Sequence, residues 1–293
     1  MQAPAKTLAQ GLAQSLAISF EFFPPKTTEQ QELMQRSAQK LLAYQPEYVS
    51  VTFGAGGSTL DYTVETIRKL REMGQDAAPH LSCMGGTKAE IKALLQQYDA
   101  MGVKRIVALR GDMPSGMAAS GDFTYAIDLV RFIRAEYGQR FHIEVAAYPE
   151  FHPQAQSAAS DMQHFLNKVA AGADGAITQY FYSSDAYFRF IEEAQQKGVK
   201  IPIIPGIMPI ANFSQLKRFS DMCGAELPRW LSKRMQGFGD DSEAVRAYGT
   251  DVVAKLCQQL IAGGVDAMHF YTLNRSKATI DVLQAMGIQP KSG

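Results

Sequence analysis

Short apolar runs alternate with longer amphipathic stretches along the whole chain. The runs cover residues 17–23, 48–53, 78–83, 105–111, 143–149, 176–182, 201–208 and 267–273, and most are rich in Ile, Val, Phe or Tyr. Each has the length and composition of a buried strand. The stretches between them repeat apolar residues at helical spacing and carry charge on the other face. Residues 59–73 and 87–101 are the clearest. Each opens on Thr, which suits an N-cap, and each is followed by a glycine, Gly74 or Gly102, as helix ends often are. Eight strands alternating with helices predict a parallel sheet, and eight such strands close into a (β/α)8 TIM barrel. The seventh interval is longer. It holds three helical patterns, at 212–223, 228–235 and 242–262, so extra helices precede the last strand.

Composition narrows the picture without changing it. The 293 residues suit one barrel of about 250 residues. A single domain over 1–293 is expected, with 1–16, polar and rich in Ala and Gln, as a flexible N-terminal segment. Basic and acidic side chains balance at 29 each, which gives nucleic-acid binding no support. No stretch approaches the roughly 18 unbroken apolar residues of a membrane span, and the N-terminus lacks the apolar core of a signal peptide. Cys83, Cys223 and Cys257 form no Cys-x-x-Cys pair, which fits a reducing compartment. A cytoplasmic protein is the expectation. The five histidines show no metal-ligand spacing, so no metal is expected.

In such a barrel the active site lies at the carboxyl ends of the strands. The polar residues there are Glu21, Thr52, His80, Arg110-Gly111-Asp112, Tyr148, Gln179, Asn274 and Arg275. Distant in sequence, they are predicted to converge on one cavity. Glu21 stands among Phe20, Phe22 and Phe23, a setting that favours its protonated form and suits a general acid near neutrality. A paired or rim glutamate without chemistry is the plain alternative. In the fifth helical stretch Asp161, His164 and Lys168 fall at i, i+3 and i+7 and share one face. That face suits solvent, or an anion such as the phosphates of a dinucleotide. Gly54-Ala55-Gly56-Gly57 lacks the lysine and spacing of a P-loop and reads as a tight turn. His142 and His269 read as structural.

Several phrases, in this order, resemble bacterial methylenetetrahydrofolate reductases from about Ser19 to Gln289. They are Ser19-Phe20-Glu21-Phe22-Phe23-Pro24-Pro25, Ala78-Pro79-His80-Leu81, Ala108-Leu109-Arg110-Gly111-Asp112, Ala146-Ala147-Tyr148-Pro149-Glu150, Ala176-Ile177-Thr178-Gln179 and His269-Phe270-Tyr271-Thr272-Leu273-Asn274-Arg275. The resemblance implies a barrel that binds FAD without a covalent bond and works by ping-pong, with NAD(P)H and methylenetetrahydrofolate taking turns at one site. Positions matching the family's flavin site are Thr52, His80, Arg110, Gly111, Asp112, Tyr125, Ala146, Tyr148, His152, Ala155, Asp161 and Lys168, and His164 joins them on the same helix face. Gln179, Phe219 and Arg275 match the folate and nicotinamide site, and Glu21 the catalytic acid. Asp112 is expected beside the flavin's pyrimidine end and the pterin. The resemblance also implies a homo-oligomer and favours NADH.

The chain departs from the family's pattern at His164 and Asn167, where Asn and Arg are usual. Asn167 lacks the fixed charge and forked donors that an arginine offers a pyrophosphate. His164 compensates only where it is protonated. Looser FAD binding is therefore expected. Two other functions stay open on the residues alone: another flavin-dependent barrel oxidoreductase, akin to proline dehydrogenase, and a folate-binding module without redox chemistry.

Overall fold

The computed structural model describes residues 15–53, 57–111 and 121–291. Nine strands, all parallel, make one sheet in the order β7-β6-β5-β4-β3-β2-β1-β9-β8. They are β1 (Ala17–Phe22), β2 (Tyr48–Val51), β3 (Ala77–Ser82), β4 (Arg105–Leu109), β5 (His142–Ala147), β6 (Gly175–Thr178), β7 (Ile203–Ile204), β8 (Gly206–Ile207) and β9 (Ala267–Tyr271). The sheet's two outer strands, β7 and β8, are joined by Pro205 alone. Proline brings no amide proton to a ladder, and there the chain changes partner, from β6 to β9. The pair is thus one bent seventh strand of a (β/α)8 barrel. Gly206 permits the bend, because a Cβ there would lie 2.1 Å from the Thr178 carbonyl oxygen.

Helices α1 (Thr28–Leu42), α2 (Gly57–Glu72), α3 (Lys88–Ala100), α4 (Ala126–Tyr137), α5 (Ala158–Ala170) and α6 (Ser184–Gln196) follow β1 to β6 in turn. Three helices, α7 (Phe213–Cys223), α8 (Arg229–Gly237) and α9 (Ser242–Ala262), precede β9, and α10 (Ser276–Ala285) follows it. The predicted insertion before the last strand is therefore present. Thr87 caps α3 as expected: its side chain accepts from the Glu90 amide while Glu90 accepts from the Thr87 amide. Helix α2 begins at Gly57, two residues ahead of the predicted start at Thr59. Gly74 and Gly102 follow their helices at φ 82° and 72°, the left-handed region that glycine enters without penalty. Most strands stop one to four residues before the ends of the predicted runs, because the apolar run continues into the loop that follows.

Two apolar regions result. The larger lies between sheet and helices, where Ile18, Phe20 and Phe22 of β1 join Met34, Ala38 and Leu41 of α1. The smaller lies inside the barrel, around Tyr48, Ala78, Val107 and Ile177. Successive side chains of a strand point to opposite faces, so Ala17, Ser19 and Glu21 turn inward while their apolar neighbours pack outward. Burial on both faces is what an all-parallel sheet requires.

Candidate active site

Glu21 closes the inward row of β1 and is 6% exposed. Burial pushes its carboxyl up to about 8. The direction agrees with the sequence, but the expected cause needs correction. Phe20 and Phe22 lie on the other face of the strand, against the helices, and the desolvation comes from the barrel interior. His80 Nε2 is 3.4 Å from the Glu21 carboxylate but brings no lasting charge. Burial, aided by His269, drives its imidazole down to about 3. A carboxyl beside a neutral imidazole holds its proton near neutrality, as a general acid must.

The backbone of β1 is held from β9. Thr272 Oγ1 donates to the Glu21 carbonyl oxygen at 2.5 Å. The Asn274 side chain bonds both backbone groups of Phe23, accepting from its amide and donating to its carbonyl, each at 2.8 Å. Leu273 and Asn274 both sit at positive φ, 51° and 58°, a conformation that side chains pay for unless the surroundings enforce it. These bonds carry the β1–β9 pairing past the ends of the strands and fix the acid's backbone.

The rim of β4 and β5 gathers the residues matched to a flavin site. Arg110 bonds the Gln154 side chain. Gly111 follows at φ 82°, and a Cβ there would lie 1.8 Å from Ser82 Oγ, so only glycine fits. Lys168 Nζ donates to the Ala146 carbonyl at 2.6 Å, and burial lowers its ammonium to about 8 against the opposing pull of Asp161. Asp161 accepts from the His152 amide at 2.9 Å. Ala155 closes a turn on His152, whose ring meets Tyr148 edge-on at 4.7 Å. Tyr125, 54% exposed, stacks on His164 with ring centroids 6.4 Å apart. Asn167 is turned along its own helix, accepting from Gln163 at 3.0 Å. Thr52 continues from β2 and bonds the Phe22 carbonyl through its amide at 2.9 Å. Asp112 and residues 54–56 lie outside the described residues.

Gln179 follows β6, its side chain accepting from the Tyr180 amide at 3.0 Å. Tyr180 holds α7 over this rim through Ser220 Oγ at 3.0 Å, which places half-buried Phe219 there. Arg275 is exposed after β9. All the matched residues that are described thus stand at or above one end of the barrel. The fit to a dinucleotide rests on donor chemistry: two cations, Arg110 and Lys168, and an exposed aromatic pair lie on neighbouring elements. Among the described residues no cluster suits a metal ion, and no helix is long and apolar enough to cross a membrane.

The sequence reading missed a set of buried polar groups deeper in the barrel. Glu144, wholly buried, pairs with Arg105 and accepts from the Tyr48 hydroxyl at 2.9 Å. The Arg105 guanidinium lies 4.2 Å over the Tyr48 ring. Ser19 and Ser50 bond the two nitrogens of the His269 ring, Nδ1 and Nε2 respectively. The signal that would have found them is strand parity: Ser19, Ser50 and His269 share the inward faces of Glu21 and His80.

Comparison with known proteins bears directly on this arrangement. The family profile described as methylenetetrahydrofolate reductase matches residues 6–287. The 5,10-methylenetetrahydrofolate reductase of Salmonella typhimurium is 38% identical over 289 residues, covering 97% of this chain and 96% of the relative. Methylenetetrahydrofolate reductase (NADH) 1 of Arabidopsis thaliana is 37% identical, covering 94% of this chain and 49% of its own length. Among solved structures, an uncharacterised Clostridium thermocellum protein that binds two copies of 5-methyl-5,6,7,8-tetrahydrofolic acid aligns with a TM-score of 0.67 at 15% identity, covering 96% of this chain and 97% of that one. At that identity the likeness concerns the fold.

Proposed function

The chain belongs to the methylenetetrahydrofolate reductase family, and from that premise we propose an FAD-dependent, ping-pong reduction of 5,10-methylenetetrahydrofolate to 5-methyltetrahydrofolate, with Glu21 as general acid. The observation that carries the reading is Glu21 itself, buried at the barrel rim 3.4 Å from the His80 imidazole. Arg110 and Lys168 would face the pyrophosphate of FAD, and Tyr125 with His164 would offer its adenine a stacking surface. When bound, the flavin supplies hydride taken from the nicotinamide cofactor, chemistry that the protein orients rather than performs. Glu21 protonates a folate nitrogen as the five-membered ring opens, which leaves an iminium carbon ready for hydride. Phe219 presents a flat apolar surface to either substrate in turn, Gln179 a polar contact, and Arg275 a cation for the folate's acidic tail. NADH is the favoured donor, in keeping with the name of the Arabidopsis relative. A homo-oligomer in the cytoplasm is the assembly and place proposed.

Anaerobic mixing tests this reading. NADH is expected to bleach the flavin absorbance of the purified protein, and methylenetetrahydrofolate to restore it. Bleaching without restoration would leave an oxidoreductase of another substrate, and no flavin spectrum would leave a binding module. The departure at Asn167 adds a second test. An Asn167→Arg variant is expected to retain FAD on dilution about tenfold better, since a forked cation gains charge-assisted bonds to phosphate. Unchanged flavin release in a fluorescence assay would separate residue 167 from the cofactor.

A further inference from the structure

Helix α7 carries Phe219, and two fastenings hold the helix over the rim. The first is to the segment after β6. The Tyr180 hydroxyl bonds Ser220 Oγ at 3.0 Å, and Cys223 Sγ donates to the Tyr180 hydroxyl at 3.4 Å. The second is to the loop between β5 and α5. There half-buried Glu150 accepts from the Glu226 amide at 2.7 Å, just past the end of α7. Gly224 ends the helix at φ 74°, and a Cβ there would meet the Pro153 ring at 3.0 Å. The crevice between loop and helix end, with Glu150, Tyr180 and Cys223 in its walls, holds only about 10 Å³. The same loop reaches residues matched to the flavin site. The His152 amide donates to Asp161 at 2.9 Å, and the His152 ring meets Tyr148 edge-on. Glu150 is thus tied to the end of α7 and His152 to α5. Phe151 between them takes φ 107°, a backbone that a side chain enters only where its surroundings enforce it.

We propose that Glu150 is a positioning residue, which holds the end of α7 against the β5–α5 loop and so fixes Phe219 at the mouth of the barrel. The proposal rests on the reductase reading above, in which Phe219 meets both substrates in turn. One fastening leaves a helix free to pivot about it, while two fix its direction. Tyr180 grips α7 at Ser220, the neighbour of Phe219, and Glu150 grips the chain beyond the helix end. Binding that must first order a side chain is weakened by the cost of ordering it. With α7 held at both points, neither substrate bears that cost for Phe219.

The bond asks for an acceptor rather than for a charge. Burial raises the Glu150 carboxyl above its ordinary range, against the pull of the Glu226 amide and with a further push from the Glu226 charge. A neutral oxygen in the same place still accepts. Glutamine supplies one and alanine does not, so these two substitutions separate the bond from the charge.

The test uses the flavin-loaded full chain as wild type, Glu150→Ala, Glu150→Gln, Phe219→Ala and the double alanine variant. In Glu150→Ala the KM for NADH and for methylenetetrahydrofolate is expected to rise about five- to tenfold, the worth of one hydrogen bond. Turnover at saturation and FAD retention should stay within about twofold of wild type, the mark of lost uniform binding. Glu150→Gln should keep both KM values. Because Glu150 acts through Phe219, its loss should add less than about twofold to the effect of Phe219→Ala. A second readout needs no turnover. Amide hydrogen exchange across residues 224–227, read by mass spectrometry, should quicken in Glu150→Ala and not in Glu150→Gln. Unchanged KM values or unchanged exchange in Glu150→Ala overturn the proposal. So does an equal rise of KM in Glu150→Gln, or a loss that adds in full to Phe219→Ala. Should Glu150→Ala fail to fold, Glu150→Leu, which fills the space without an acceptor, takes its place. A wild type that cannot reduce the folate would sink the reductase reading instead. The KM for NADH with an artificial acceptor and the amide exchange would still judge Glu150.

Discussion

Glu21 and Glu144 lie toward opposite ends of one barrel interior, and burial treats them almost alike, at 6% and 0% exposed. Their charge states nevertheless differ. Glu21 faces a neutral imidazole, and burial lifts its carboxyl to about 8. At Glu144 burial pulls in the same direction, but the His142 ring 3.6 Å away, the Arg105 guanidinium and the Tyr48 hydroxyl outweigh it and hold the carboxyl below its usual range. Depth therefore does not set the charge of a buried acid; its partners do. The rim carboxyl is held protonated, and the floor carboxyl is held charged.

The strongest attack on this contrast is Glu21→Gln. Folate reduction is expected to fall by about 10²–10⁴-fold, the usual worth of a positioned acid. NADH oxidation with an artificial acceptor should continue, because that half-reaction needs no ring-opening proton. A variant that reduces the folate at the wild-type rate would remove Glu21 from the chemistry.

At the floor the corresponding change is Arg105→Leu. It strands the Glu144 charge, and removing one partner of a buried ion pair typically costs about 3–5 kcal/mol. Urea unfolding should show this loss at pH 8 and a smaller one at pH 5, where an unpaired Glu144 takes up a proton. Equal stability of the variant and wild type at pH 8 would mean that Glu144 does not depend on Arg105.

The pH dependence of stability sharpens the contrast further. Glu21 is protonated up to about pH 8 in the folded chain, against an ordinary carboxyl value of 4.5 outside it. Between these limits the native state binds the extra proton. Stability therefore falls as pH rises, by up to about 1.4 kcal/mol per unit, and levels off above about pH 8. Glu21→Gln lacks this slope, so its advantage over wild type should grow across that window. Glu144 slopes the opposite way in both proteins and cancels in the difference. Parallel curves for the two proteins would show that Glu21 carries no raised affinity for its proton.

How much of this the sequence carried follows from what a strand reveals. The alternation of apolar runs with amphipathic stretches was enough for the barrel, its order and the insertion before β9, because each element's period is local. Glu21, His80, Arg110 and Gln179 were legible because strand ends converge in this fold. Tyr48, Arg105 and Glu144 were not, since they enter from the starts of strands, where polar residues read as loop. The environment of Glu21 was misread for a related reason. Phe20 and Phe22 are its neighbours along the chain but stand on the other face, and only parity separates the two. The bend at Pro205 was invisible within a continuous apolar run.

The pairing of β1 with β9 sets a timetable for synthesis. Glu21 and Thr272, which donates to its carbonyl, are 251 residues apart. At ribosomal rates of about 5–20 residues per second, the interval between them is roughly 10–50 s. Throughout it β1 can pair with β2 on one side, while its other edge has no partner strand. His269, which bonds Ser19 of β1, is also still to come. Glu21 is translated well before its partners on β9, and its surroundings are completed only when that strand leaves the ribosome. A nascent chain halted before residue 267 would hold most of a barrel with an open seam beside Glu21, and a chaperone that shields strand edges would find its binding site there.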